Sequence, residues 1–111
     1  MENTEIEKLK EQFVRYLAPE KIYLFGSFAS GTYTDESDYD FYIIVGDDRT
    51  DMANLTTIAY QSVRSIKKRP VDIVVGTRSR FEDRKKFASL EYEVFNKGVL
   101  LYDESGSGIV A

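Results

Sequence analysis

Asp38 and Asp40 stand two residues apart at the head of the apolar run 39–45, YDFYIIV, and Asp72 is the second residue of another, 71–75, VDIVV. In an extended strand, residues two apart leave the same face, so Asp38 and Asp40 project side by side. If the two runs are neighbouring strands, three carboxylates converge at one end of a sheet. Such a cluster works against folding. Two carboxylates ~4 Å apart repel by about 4 kcal/mol at an effective dielectric of about 20, against a whole-domain stability of only ~5–15 kcal/mol. A divalent cation reverses the sign. Mg²⁺ takes carboxylate oxygens as ligands and completes its shell with water and substrate phosphates. A pair of such ions about 3.5–4 Å apart can activate an attacking oxygen and stabilise a leaving one.

A second group of residues suits the phosphates. Gly26-Ser27 follows directly on the β-type run 21–25, KIYLF, and opens a glycine-bounded turn, GSFASG. Without a Cβ at Gly26, backbone N–H groups can approach a ligand closely. If residues 27–30 start a helical turn, those groups and the helix dipole favour an anion, and the Ser27 hydroxyl adds a donor. Each feature by itself has an ordinary reading: an acidic turn entering an edge strand for Asp38 and Asp40, a surface strand residue for Asp72, a tight turn for Gly26-Ser27. The joint pattern shifts the balance. An Asp between Val71 and Ile73, with Val74 and Val75 following, is costly unless paired or metal-bound.

Other chemistries fall away. The chain has no Cys and no His, which removes disulfides, thiol nucleophiles, Ser-His-Asp triads and almost every zinc site. A P-loop needs Lys after its second glycine, but Thr32 follows Gly31. The DESDYD stretch lacks the glycine and terminal Glu of an EF-hand loop.

The elements that must position these residues can be read from periodicity. Ile6, Leu9, Phe13 and Leu17 recur at helical spacing over 4–17, with Thr4 and Glu7 as a capping box and Pro19 as a stop. Strands are expected at 21–25, 39–45 and 71–75, the last closed by Gly76, with a polar loop over 32–38. A helix over 51–67 presents Met52, Leu55, Ile58, Ala59, Val63 and Ile66. A basic loop carrying Arg78, Arg80 and Arg84 leads to a helix over 84–96 with Phe87, Leu90, Val94 and Phe95 inward and Gly98 as its stop. A final strand is expected at 99–102. The fold class is therefore α/β (α+β), a small mixed β-sheet with helices packed on it. The domain covers 1–103, and the tail 104–111, ESGSGIVA, is expected to be disordered.

The chain has 111 residues, enough for one modest core. Its 15 basic and 19 acidic residues leave a net charge of −4, so nucleic acid is not expected as a direct ligand. No apolar run approaches the ~20 residues of a membrane span, and the charged start MENTEIEKLK is not a signal peptide. A cytoplasmic location with no membrane association is the expectation. Eight tyrosines suit an interface, with Tyr33, Tyr39 and Tyr60 as candidates.

The segments LFGSFASG (24–31), SDYDFYIIV (37–45) and PVDIVV (70–75) together resemble the minimal nucleotidyltransferases of the DNA polymerase β-like superfamily. The resemblance runs through nearly the whole chain, and it implies a polymerase β palm-like fold. Asp38 and Asp40 would then ligate both Mg²⁺ ions (or Mn²⁺). Asp72 would ligate one and help deprotonate the acceptor hydroxyl, and Gly26 and Ser27 would hold the β- and γ-phosphates of an NTP. It further implies transfer of AMP from ATP to a hydroxyl of a macromolecule. The acceptor implied is a tyrosine of a helical HEPN-domain toxin, with which the chain would form a hetero-oligomer as its antitoxin. Many relatives carry Arg where this chain has Ser30, so a basic contact is missing or supplied by Arg78, Arg80, Lys85 or Lys86. The alternative is a catalytically weak antitoxin that neutralises its partner by binding alone; a nucleotide sensor without turnover is a third reading.

Overall fold

Ile6, Leu9, Phe13 and Leu17 form the buried face of the first helix, α1 (Thr4–Leu17), in a computed structural model that describes residues 3–106. Its N-cap is Asn3 rather than the expected Thr4: the Asn3 side chain accepts from the Ile6 N–H at 3.0 Å. The chain continues through β1 (Lys21–Phe25), the short α2 (Ser27–Ser30), β2 (Tyr39–Val45), α3 (Met52–Val63), β3 (Val71–Thr77), α4 (Arg78–Arg84), α5 (Leu90–Lys97) and β4 (Val99–Asp103).

The strands form one mixed sheet in the order β3-β2-β1-β4. β1 runs antiparallel to both β2 and β4, while β2 and β3 are parallel and joined through α3. Alternation in β2 divides the interior in two. Tyr39, Phe41, Ile43 and Val45 pack with α1 and α3, whereas Tyr42 and Ile44 meet Tyr23, Phe81 of α4 and Val94 of α5 on the other face. Among the described residues, no helix is long and apolar enough to cross a membrane.

Four elements depart from the periodicity reading, each for a local reason. The 51–67 helix ends at Val63, and residues 64–66 close it as a turn. β3 runs past Gly76 to Thr77, because these two residues pair with Ile44 and Val45 of β2. The expected basic loop is the helix α4, capped by the Thr77 hydroxyl on Arg80 N–H. The expected helix over 84–96 is divided, since Ser89 caps a new helix by accepting from Tyr92 N–H. That division turns Phe87, Leu90 and Phe95 outward, where they are 59%, 39% and 46% exposed instead of buried. Residues 104–106 form a turn hydrogen-bonded to Glu20 and Asp103; the rest of the expected tail, 107–111, lies outside the described residues.

Candidate active site

Parallel pairing of β2 with β3 sets Asp40 directly opposite Asp72. Asp38 precedes β2 by one residue and lies two before Asp40, on the face that Tyr42 and Ile44 continue. Val74, two after Asp72, belongs to that same face. The three carboxylates therefore share the N-terminal end of two adjacent strands, on the side covered by α4 and α5. Burial pushes the Asp40 carboxyl up from its usual 3.8 to about 6, reinforced by the negative charges of Asp72 and Asp38 and by hydrogen bonding to Asp72. Asp72 is exposed and Asp38 half-buried.

Gly26 closes the same end. It follows β1, whose last residue Phe25 pairs with Asp40. Its φ of 74° and ψ of −153° are open essentially to glycine alone, and a Cβ there would overlap Asp40 Oδ2. Ser27 is the first residue of α2, so the turn does begin a helical segment beside the carboxylates. Ser30 lies one turn on, its hydroxyl 2.8 Å from that of Thr32.

The loop 32–38 that delivers Asp38 is held by Arg69, which the sequence reading did not single out. The Arg69 guanidinium donates to the carbonyl oxygens of Ser37 at 2.8 Å and of Thr34 and Asp35 at 3.4 Å. It also lies 4.9 Å from the Phe28 ring centroid and 5.4 Å from that of Tyr39. Its place immediately before the strand bearing Asp72 was the available signal.

Three of the four cations proposed to replace the missing Arg are engaged by acidic partners. Arg78 lies six residues beyond Asp72 along β3, roughly 20 Å away at strand rise, paired with Glu20 at 2.5 Å and Asp47 at 3.5 Å. Arg80 and Arg84 are drawn to the buried Glu91 at 3.6 and 3.0 Å, and Tyr42 donates to Glu91 at 2.7 Å. Burial alone would raise the Glu91 carboxyl, but the Tyr42 hydroxyl and the Arg84 guanidinium outweigh it and hold it below the usual carboxylate range. Lys85 pairs with Glu82 and lies over the Phe95 ring. Lys86 is exposed in the turn between α4 and α5.

All three interface tyrosines have partners within the chain. Tyr39 is 2% exposed and donates to Glu5 at 2.7 Å. The Tyr60 hydroxyl accepts from Ile73 N–H at 2.9 Å, tying α3 to β3. Tyr33 is 41% exposed and stacks on Phe28 at 4.2 Å.

The donor set is all oxygen and all acidic. Among the described residues no Lys or Arg forms an ion pair with Asp38, Asp40 or Asp72. Uncompensated carboxylates of this kind fit a hard divalent cation. No three acidic side chains among the described residues yet stand in a closed cage for an ion, so the match is one of chemistry and placement. Beside Gly26 opens a cavity of about 370 Å³, walled by Phe25, Ser30, Leu90, Glu93 and Lys97.

Solved structures of similar shape include a candidate nucleotidyltransferase from Sulfolobus solfataricus, 23% identical over 95% of this chain and 92% of its own, with a TM-score of 0.56. A toxin–antitoxin complex with AMP-PNP matches at 22% identity over 93% and 74% of the chains, with a TM-score of 0.53. A mutant of the toxin–antitoxin MntA-HpeT matches at 26% over 93% and 73%, with a TM-score of 0.55. No curated protein matches the chain significantly. The sequence profile described as "Polymerase beta, Nucleotidyltransferase" matches residues 7–107. Since that match reaches every element of the fold, including both strands whose carboxylates face each other, the chain belongs to the polymerase beta nucleotidyltransferase family, whose members generally use a divalent metal.

Proposed function

We propose that this protein is a Mg²⁺-dependent nucleotidyltransferase that moves AMP from ATP onto a hydroxyl of a macromolecular acceptor, a tyrosine of a HEPN toxin partner, and so acts as its antitoxin. One observation carries the chemistry: Asp40 and Asp72 face each other across parallel strands, with Asp38 beside them and, among the described residues, no Lys or Arg in an ion pair with the cluster. The partner and the nucleotide are supported by similar structures described as toxin–antitoxin complexes, one of them with AMP-PNP.

In this reading Asp38 and Asp40 would hold both metals and Asp72 one of them. The metals, when bound, neutralise the phosphates and the leaving pyrophosphate. Gly26 and the first turn of α2 cradle the β- and γ-phosphates, and the Ser27 hydroxyl donates to them. A carboxylate oxygen of Asp72 takes the acceptor's proton. The acceptor oxygen bonds to the α-phosphorus, and the bond from that phosphorus to the bridging oxygen breaks. Arg69 keeps Asp38 in register by fixing the loop before it.

The test is incubation of the purified chain with its neighbouring gene product, labelled ATP and Mg²⁺ or Mn²⁺. Label should appear on a tyrosine of the partner and vanish with Asp38→Asn/Asp40→Asn. Absence of transfer with a folded pair and every NTP would sink the proposal. A second reading, neutralisation by contact alone, is favoured by Ser30, where many relatives carry Arg. It predicts that the double Asn variant still protects cells from the partner.

A further inference from the structure

A nucleotide triphosphate brings about four negative charges to a site that already carries three carboxylates. Metals offset part of this, and phosphate sites generally add a side-chain cation. The cations on α4 are committed elsewhere, as are Arg69 and Lys85. The cavity between the end of β1, α2 and α5 does contain one. Lys97, in the last turn of α5, lines it together with Gly26 and Ser30. A Cβ on Gly26 would meet the Asp40 carboxylate, so the cavity borders the acidic cluster on the face the three carboxylates share.

We propose that Lys97 is a positioning residue for the polyphosphate tail of the nucleotide, reaching across this cavity to the phosphates held at Gly26. The inference rests on the nucleotidyltransferase reading above and adds a residue to it. The packing of α5 supports the placement: Gly98 follows Lys97 directly, and a Cβ on Gly98 would press on the Leu24 carbonyl of β1. The helix end is thus seated against the strand that leads into Gly26. Lys97 is also free to move. It is 73% exposed, and its ion pair with Glu93 is long, at 3.5 Å, and open to water, an arrangement that contributes little to stability. Incoming phosphate therefore competes with a weak partner. Glu93 walls the same cavity and opposes an anion there, so the pair sets the charge of the pocket from both sides.

Titration calorimetry with ATP, ADP and AMP in Mg²⁺ tests this on the intact chain, with thermal melts as the control for folding. Lys97→Ala should weaken ATP binding roughly tenfold, as expected for loss of a charge-assisted phosphate contact, ADP by less and AMP hardly at all, with the melting point unchanged. Lys97→Arg should retain most of the affinity, and Glu93→Gln should tighten ATP binding about two- to threefold. ATP affinity unchanged in Lys97→Ala overturns the role of Lys97 and leaves the carboxylate site standing. Equal losses for ATP and AMP overturn the phosphate assignment, as does a loss in Glu93→Gln matching that in Lys97→Ala. A wild-type chain that binds no nucleotide with Mg²⁺ overturns this proposal and the parent reading together.

Discussion

Asp40 is the residue at which burial and charge meet most sharply. Its folded pKa of about 6 lies above its usual 3.8, so its protonated form is favoured by folding. The metal-free protein has the full benefit of this below pH ~4 and loses it as pH rises through about 6. Divalent cations need the carboxylate, so their affinity should rise over the same window. Removing the Asp72 charge removes one cause of the shift. Asp72→Asn should therefore lower the Asp40 midpoint, read by carboxyl-carbon NMR, and an unmoved midpoint would leave burial and the Asp38 charge as the causes. Gly26 is constrained twice, by a backbone conformation that side chains avoid and by the Asp40 oxygen against it. Gly26→Ala should cost about 1–3 kcal/mol in denaturant melts and displace the Asp40 carboxylate that the new Cβ would meet.

At the scale of elements, the site depends on a loop that has little structure of its own. Residues 32–38 are exposed up to Glu36, and their carbonyls converge on one guanidinium from the far side of the α3–β3 connection. Arg69→Ala should lower stability by about 1–2 kcal/mol and weaken Mn²⁺ binding on the order of tenfold, because support residues of this kind orient metal ligands. Electron paramagnetic resonance of Mn²⁺ reads the second effect. Arg69→Lys should restore little, since an ammonium cannot reproduce the planar fork over two rings. The Tyr42–Glu91–Arg84 network plays a comparable part on the opposite side, docking α4 and α5 onto β2.

For the whole molecule, two small cores share a four-stranded sheet, and the larger one depends on α1. Phe13 is fully buried and meets Phe41 edge to face at 5.0 Å. Phe13→Ala should destabilise by about 3–5 kcal/mol, a large part of a domain's ~5–15 kcal/mol, and shift the urea midpoint with little change in slope. Loss of activity in that variant should track the unfolded fraction, whereas loss in Asp38→Asn or Asp40→Asn should not.

Much of this was legible from the residues alone, because it depends on local periodicity. α1, β1 and β2 lie where alternation and helical spacing put them, and Asp38, Asp40 and Gly26-Ser27 are ordered by a strand and a turn only a few residues long. Other features depend on caps and partners that a periodic pattern does not carry. Ser89 starts a second helix and turns Phe87, Leu90 and Phe95 to solvent, and Thr77 makes a helix of a basic segment. The facing of Asp72 to Asp40 needed the parallel register of two strands separated by a helix. The choice among the cations needed their acidic partners: Glu20 and Asp47 come from segments far along the chain from Arg78, and Glu91 reaches Arg84 only because α5 folds back beside α4. Sequence by itself determined which side chains could do chemistry here; only tertiary structure decided which of them meet, because meeting depends on strand register and helix docking.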